Sequence, residues 1–342
     1  MRIKRYSTIL QKYIKLTKKR SLPKNVQISS NLANYFTAKK KTYCKNKPIS
    51  AQIEPTLRCN LRCKMCFRDK FACGDMSFEQ YKEVLNKLNK VVKLHLQGLG
   101  EPFLHKDIFK MIDYAANKGI IVTATSNGTM FSPKIIEQLK HSKLSELGIS
   151  VDSTKKELYE SIRIGANFDK VKQNIKNLTK ATTNIDIFLA VVILKENMED
   201  IPNFVDFAKS LGIKKIIFQA VQSKEDFVEN YEKDFNSLVV EDKKLIRSLI
   251  GKAKNRGKNL GVNVVYDETV IKCVWPWRNI YVTWQGEVTP CCMVVDPKEL
   301  KLGNILKQPF NKIWNGEKYR YLRYALLNYK PVKSCEGCIL KP

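Results

Sequence analysis

From residue 50 onward, short runs of β-branched and apolar residues alternate with longer stretches in which apolar positions recur every three or four residues. Ala51–Glu54, Val91–Leu96, Ile120–Thr125, Glu146–Val151, Ile185–Leu194 and Lys215–Phe218 predict strands. Ser77–Asn89, Asp107–Asn117, Pro133–His141, Phe168–Thr179 and Ile201–Leu211 predict amphipathic helices. Ser132 and Asp200 stand where helix N-caps belong, and Gly119 and Gly212 where helices stop. A strand followed by a helix, repeated about six times, is the pattern of βα units with parallel strands. After about Gly257 the alternation lapses, and Trp, Pro and Cys become dense from Cys273 onward. The expected organisation is a segment 1–49, an α/β core over 50–257 and a smaller domain over 258–342.

Charge sets the first segment apart. The chain of 342 residues carries a formal charge of +28, and residues 1–50 hold fourteen Lys or Arg with no Asp or Glu. Such a block attracts nucleic acid, anionic lipid or phosphorylated molecules, and it also suits a chain whose surfaces are basic throughout. Ile3, Tyr6, Ile9, Leu10, Tyr13 and Ile14 fall on one helical face. Residues 1–20 therefore fit either peripheral contact with an anionic membrane or a surface helix packed on the core. The longest apolar run, Ile187 to Leu194, is far below the ~20 residues of a spanning helix, and no secretory h-region is present. A soluble, cytoplasmic protein is the expectation.

Ten cysteines in a chain with no route to an oxidising compartment point to metal binding rather than disulfides. Directly after the first predicted strand comes Glu54-Pro55-Thr56-Leu57-Arg58-Cys59-Asn60-Leu61-Arg62-Cys63-Lys64-Met65-Cys66-Phe67. A closed zinc site wants four ligands, typically as two cysteine pairs. None of the three histidines, His95, His105 and His141, lies near this loop in sequence. Three thiolates suit a cubane iron–sulfur cluster with one iron left open.

This Cys-x₃-Cys-x₂-Cys spacing, with an aromatic residue after the third cysteine, resembles the signature of the radical S-adenosylmethionine (SAM) superfamily. The resemblance implies a partial (β/α)6 TIM-like barrel with a [4Fe-4S] cluster on Cys59, Cys63 and Cys66. In that family the open iron chelates SAM, and one electron cleaves the sulfonium to a 5′-deoxyadenosyl radical. It implies further cofactor-binding positions. Phe67 follows the third cysteine. Gln97-Gly98-Leu99-Gly100-Glu101-Pro102 resembles the Gly-Gly-Glu-Pro element that holds the amino group of SAM, with Leu99 departing from its first glycine. Gly98, Gly100 and Glu101 are the residues carried over. Ser126 and Asn127 after the third strand, and Ser150 and Asp152 after the fourth, look like the family's polar strand ends. Arg163 resembles an arginine that pairs with the SAM carboxylate, a natural task for a guanidinium. A barrel carries its chemistry on loops at the C-terminal ends of successive strands, where these residues fall.

The C-terminal cysteines Cys273, Cys291, Cys335 and Cys338 follow a Cys-x₁₂-Gly-x₄-Cys … Cys-x₂-Cys pattern. It is similar to the SPASM extension of many radical SAM enzymes. The sequence ends four residues after Cys338, so the expectation is the shortened, twitch-like form with one auxiliary [4Fe-4S] cluster. Cys292 competes with Cys291 as ligand, a Cys₄ zinc ribbon shares the spacing, and Cys44 and Cys73 have no assigned role. The resemblance implies a radical SAM oxidoreductase that abstracts hydrogen from its substrate. Reductive cleavage implies an electron donor such as flavodoxin or ferredoxin. The sequence reading favours oxidation of a small-molecule or carbohydrate-type substrate, whose anionic members the positive charge would attract, with the auxiliary cluster taking the electron. Peptide modification is the alternative. A metal-bound nucleic-acid protein is the third reading, which leaves the Gly-Glu-Pro element without purpose. No general base is legible: Tyr266, Asp267, Glu268, Arg278 and Trp284 fit a pocket or a solvated loop.

Overall fold

The computed structural model describes residues 40–221, 236–266, 273–294 and 296–335. Seven strands, β1 (Ser50–Ile53), β2 (Lys93–Leu96), β3 (Ile121–Ser126), β4 (Glu146–Ser150), β5 (Asp186–Ile193), β6 (Lys215–Ala220) and β7 (Asn263–Tyr266), lie side by side in chain order, all parallel. Helices α1 (Phe78–Lys87), α2 (Ile108–Asn117), α3 (Pro133–His141), α4 (Lys156–Ile162), α5 (Phe168–Ala181), α6 (Phe204–Ser210) and α7 (Lys243–Leu260) make the crossovers. Parallel strands need such crossovers, and helices then cover the sheet.

Alternation along the strands assigns the two faces. Leu94 and Leu96 of β2, Ala124 of β3, and Leu147 and Ile149 of β4 are buried in one core with Tyr81, Val84, Met111, Ile112 and Leu139 of the helices. The intervening positions point into the barrel. Several of them are polar: Gln52, Lys93, His95, Gln97, Thr123, Thr125 and Glu146.

The C-terminal part joins the same sheet. Strand β8 (Asn279–Val282) pairs in parallel with β1, from Ser50↔Asn279 to Ile53↔Val282. β9 (Glu287–Thr289) and β10 (Gly303–Asn304) follow antiparallel. The order is β10-β9-β8-β1-β2-β3-β4-β5-β6-β7. Fully buried Arg323 fastens this end, with its guanidinium 4.4 Å from the Trp314 ring centre and 4.8 Å from that of Tyr319, donating to Pro276 O (2.8 Å) and Thr42 O (3.1 Å).

Three sequence expectations shift. The domain boundary at 257 falls inside α7, and β7 extends the parallel sheet beyond it; four residues, Asn-Val-Val-Tyr, are too short to announce a strand by alternation. The helix expected over Ile201–Leu211 is split into a 3₁₀ turn, Met198–Asn203, and α6, with Pro202 in the turn. Asp200 does not cap it. Its carboxylate accepts from Thr154 N (2.6 Å), Thr154 Oγ1 (2.7 Å) and Ser153 Oγ (2.9 Å), which ties down the loop after β4. Ser132 does cap α3, accepting from Ile135 N, and Gly119 and Gly212 take left-handed φ of 80° and 74°. Among the described residues no helix is long and apolar enough to cross a membrane. The amphipathic stretch of residues 1–20 lies outside the described residues.

Candidate active site

The first cysteine loop leaves β1 and is fastened on every side. Leu57 N donates to Gly74 O and Met76 N to Pro55 O, both 2.9 Å. Asp75 accepts from Thr56 Oγ1 (2.6 Å) and from Arg58 in a two-pronged pair (2.9 and 2.6 Å). Arg62 N and Lys64 N reach Ile164 O and Ile162 O at the end of α4. Cys66 N donates to Cys63 O (3.1 Å), closing a tight turn between the second and third cysteines. Burial pushes the Cys59 thiol up and that of Cys63 up to about 11, and the thiols oppose one another's ionisation. As thiolates they need a cationic centre among them. N–H groups aim at the sulfurs: Leu61 N (3.5 Å) and Asn127 Nδ2 (3.9 Å) at Cys59, and Arg163 Nη1 (3.9 Å) at Cys63. Thiolates surrounded by N–H donors are the usual setting of an iron–sulfur cluster. Three cysteines with no histidine beside them suit a cluster with one open iron better than a closed four-ligand zinc site.

Gly98 and Gly100 are needed for close approach of protein to protein. A Cβ on Gly98 would lie 2.1 Å from Glu54 Oε2, and one on Gly100 would lie 2.3 Å from Thr56 O and 2.7 Å from Arg58 O. These glycines let the β2 loop lie on Glu54 and on the backbone of the cysteine loop, where Glu101 N donates to Arg58 O. Gly100→Ala must push that backbone aside, at a cost of about 1–3 kcal/mol. The variant is expected to hold less iron at Cys59, Cys63 and Cys66, as iron analysis and visible absorbance will show.

Glu101 is buried and fully engaged, accepting from Asn127 N (2.7 Å), Ser126 Oγ (2.9 Å) and Phe103 N (3.1 Å). Burial pushes its carboxyl up to about 7 against those hydrogen bonds. Asn127 reaches back to Asn60 Oδ1 (2.9 Å), so the second and third strand ends are locked to the cysteine loop. Ser150 is half-buried at the end of β4. Asp152, wholly buried, receives Arg163 Nη2 at 2.7 Å and Val192 N at 2.8 Å. Arg163 is thus held by an acid of its own chain beside Cys63. Phe67 is completely covered, packed with Tyr281 and Val294. Phe67 thereby packs the cysteine loop against the C-terminal part.

Glu54 was not legible as a site residue. It sits at the end of β1, almost fully buried. Its Oε2 accepts from Leu99 N and Tyr281 Oη (both 3.1 Å), and its Oε1 from Trp284 N (3.4 Å). Burial pushes its carboxyl up to about 7, opposed by those three donors. A glutamate closing an apolar strand just before Pro55 was the available signal. Trp284, left open by the sequence, lies over Gly74.

Cys291 and Cys292 pack against the same apolar group as Phe67 and Tyr281. Met293 N donates to Cys291 Sγ (3.4 Å), the same two-residue offset as Leu61 N to Cys59 Sγ. Cys273 is half-buried and Cys335 buried, while Cys338, Asp267 and Glu268 lie outside the described residues. Cys44 is buried with its N–H on Asn315 Oδ1 (2.9 Å), and exposed Cys73 accepts from Arg68 Nη1 (3.4 Å).

Comparison with known proteins agrees with this geometry. The model of the radical SAM superfamily matches residues 53–208, and that of an iron–sulfur cluster-binding domain, SPASM, matches residues 273–339. The chain belongs to the radical SAM superfamily. It is a radical SAM enzyme with a SPASM domain, and its cofactors are SAM, a [4Fe-4S] cluster and auxiliary iron–sulfur. It is 28% identical over 324 residues to the antilisterial bacteriocin subtilosin biosynthesis protein AlbA of Bacillus subtilis, covering 86% of this chain and 68% of the relative. It is 27% identical over 328 residues to the AdoMet-dependent heme synthase of Methanosarcina barkeri, covering 86% and 91%. Among solved structures, Streptococcus suis SuiB bound to SAM matches with a TM-score of 0.68 at 17% identity, covering 81% of this chain and 68% of SuiB. That likeness establishes the shared barrel fold.

Proposed function

We propose that this radical SAM enzyme modifies a peptide. The observation that carries the reading is the match to a bacteriocin biosynthesis protein, which spans both the barrel and the C-terminal domain. The small-molecule and carbohydrate reading favoured by the sequence has less behind it. A second, non-peptide reading, oxidation of a large organic cofactor, draws on the heme synthase, matched over 91% of its length.

Cys59, Cys63 and Cys66 would hold the radical cluster, and Cys273, Cys291, Cys335 and Cys338 the auxiliary one. Cys291 is taken from the motif spacing, with Cys292 as the competing thiol, and Met293 N donates to the Cys291 sulfur. Bound at the first site, SAM on a reduced cluster supplies a 5′-deoxyadenosyl radical. The chain's own part is placement. Glu101, Ser126 and Asn127 lock two strand ends onto the cysteine loop, Arg163 offers positive charge at Cys63, and Ser150 stands half-buried on the next strand. Phe67 and Tyr281 belong to one apolar group that Met65 of the cysteine loop, Cys291 and Cys292 all touch. A cytoplasmic location and a flavodoxin or ferredoxin donor suit a cluster that works reduced.

The test is anaerobic reconstitution followed by reduction with SAM and peptides encoded beside the gene. A mass change in one peptide, coupled to 5′-deoxyadenosine and absent in a Cys59→Ala, Cys63→Ala, Cys66→Ala triple variant, is expected. Coupled turnover of a porphyrin-type compound with no peptide modified would overturn the reading.

A further inference from the structure

The barrel interior below the cysteine loop carries a polar layer that the radical site does not use. Backbone register places Gln52 of β1 beside His95 of β2, and His95 beside Thr123 of β3. Gln97 follows on the same face at the end of β2, next to Gly98. Polar groups inside a barrel cost free energy unless each finds a partner. Here some do and some do not. His95 Nδ1 meets Thr123 Oγ1 (2.8 Å), while Nε2 meets Gln97 Oε1 (2.5 Å), with Thr125 Oγ1 at 3.4 Å. Gln52 Nε2 donates to Gln97 O (3.0 Å).

The remaining groups are unspent. The ring of His95 grips the Gln97 carboxamide by one end only, and Gln52 uses its NH₂ and keeps its oxygen. Among the described residues, neither the other end of Gln97 nor Gln52 Oε1 meets a protein partner. Both side chains are half-exposed and neither has a sealed orphan atom. Charge lies around this layer rather than in it: Lys93 and Glu146 pair with each other at 3.1 Å, Lys215 Nζ lies over the Phe188 ring at 4.7 Å, and burial keeps His95 neutral with its pKa lowered to about 4. Phe188 walls the next position, its ring 2.8 Å from where a Cβ on Gly148 would stand.

We propose that Gln97 and Gln52 are specificity-determining residues of the reaction chamber and bind an amide, either a peptide bond or a carboxamide side chain, by paired hydrogen bonds. An amide offers one donor and one acceptor, matching two carboxamides that each have a free end. The groups left open on Gln97 and Gln52 are a neutral donor and a neutral acceptor, and a carboxylate or phosphate, which only accepts, would leave the Gln52 oxygen unmatched. His95 is the positioning residue that sets the Gln97 carboxamide. The inference rests on the peptide reading for its substrate class.

The probe is N-methylacetamide, compared with methyl acetate, which lacks the N–H. The readout is the ring nitrogen resonance of His95 in oxidised holoenzyme labelled in its three histidines. A saturable shift with the amide and none with the ester is expected. Gln97→Leu should abolish it, and Gln52→Leu should weaken it about two- to tenfold, the worth of one net hydrogen bond. Should Gln97→Leu fail to fold, Gln97→Met and Gln52→Leu carry the test. Equal shifts with both probes, no shift with either, or an unchanged amide response in these variants would overturn the proposal. Amide binding without peptide modification would sink the peptide reading alone. Peptide modification indifferent to Gln97→Leu would sink this proposal alone.

Discussion

Arg163→Met is expected to destabilise the folded protein by about 3–5 kcal/mol, because it leaves the Asp152 carboxylate buried without its partner. Asp152 is wholly enclosed, and burial already pushes its carboxyl above the usual range while Arg163 pulls it down. Without the guanidinium the carboxyl rises further. A carboxyl raised in the folded state keeps its contribution below the unfolded pKa and loses it as pH rises through the folded value. The penalty should therefore be larger at about pH 8 than at about pH 5, as urea denaturation at the two values will show. Asp152→Asn combined with Arg163→Met should recover much of the loss, since no buried charge is then unpaired. A second readout separates stability from tuning. Arg163 Nη1 lies 3.9 Å from Cys63 Sγ, and hydrogen bonds to cluster sulfurs help set the potential. The double variant should hold its cluster at a lower potential than the parent in a redox titration followed by electron paramagnetic resonance. An unchanged potential would show that Arg163 acts on Asp152 only.

Glu54→Gln should change the pH profile of stability. The carboxyl moves from 4.5 to about 7 on folding, so the folded state holds a proton that the unfolded state has released across that window. Stability falls as pH rises from about 4.5 to about 7, by up to about 3 kcal/mol at 1.36 kcal/mol per unit. Glutamine cannot titrate, and the variant should lose this slope, one proton's worth. Glu101 contributes a parallel slope, and His95, lowered to about 4, an opposite one between about 4 and 6.5. The comparison of parent and variant isolates Glu54 from both. An identical slope in the two would show that Glu54 is not the protonated group. Above neutral pH, glutamine also turns an NH₂ toward one of three N–H or O–H donors, which costs about 1–3 kcal/mol where that group is left unmet.

The sequence announced what is local. The six strands from β1 to β6 stand out because each is a short apolar or alternating stretch set between helical patterns, whereas β7 comes after that rhythm has lapsed. The cysteine spacing is visible because its ligands share one loop. What the sequence concealed depends on residues brought together from far apart. Nothing near Gly98 in sequence shows Glu54 against it, and nothing near Arg163 shows Asp152 beneath it. Phe67 follows the third cysteine in sequence, yet its neighbours Tyr281 and Val294 are more than two hundred positions away. Helix α7 escaped notice because Ile246, Ile250, Ala253 and Gly257 give only a thin apolar stripe amid lysines.

β1 has no free edge: β2 lies on one side and β8 on the other. The barrel and the SPASM part are therefore not beads on a string. Cutting the chain after β7 would strip one side of a central strand and expose a row of unpaired amides, a template for aggregation. A shortened protein meant to isolate the radical site should precipitate rather than work, and this SPASM part would not transplant onto another barrel as a cassette. Its distance from the radical site is set by backbone hydrogen bonds, so the gap an electron must cross should hardly change as substrates come and go.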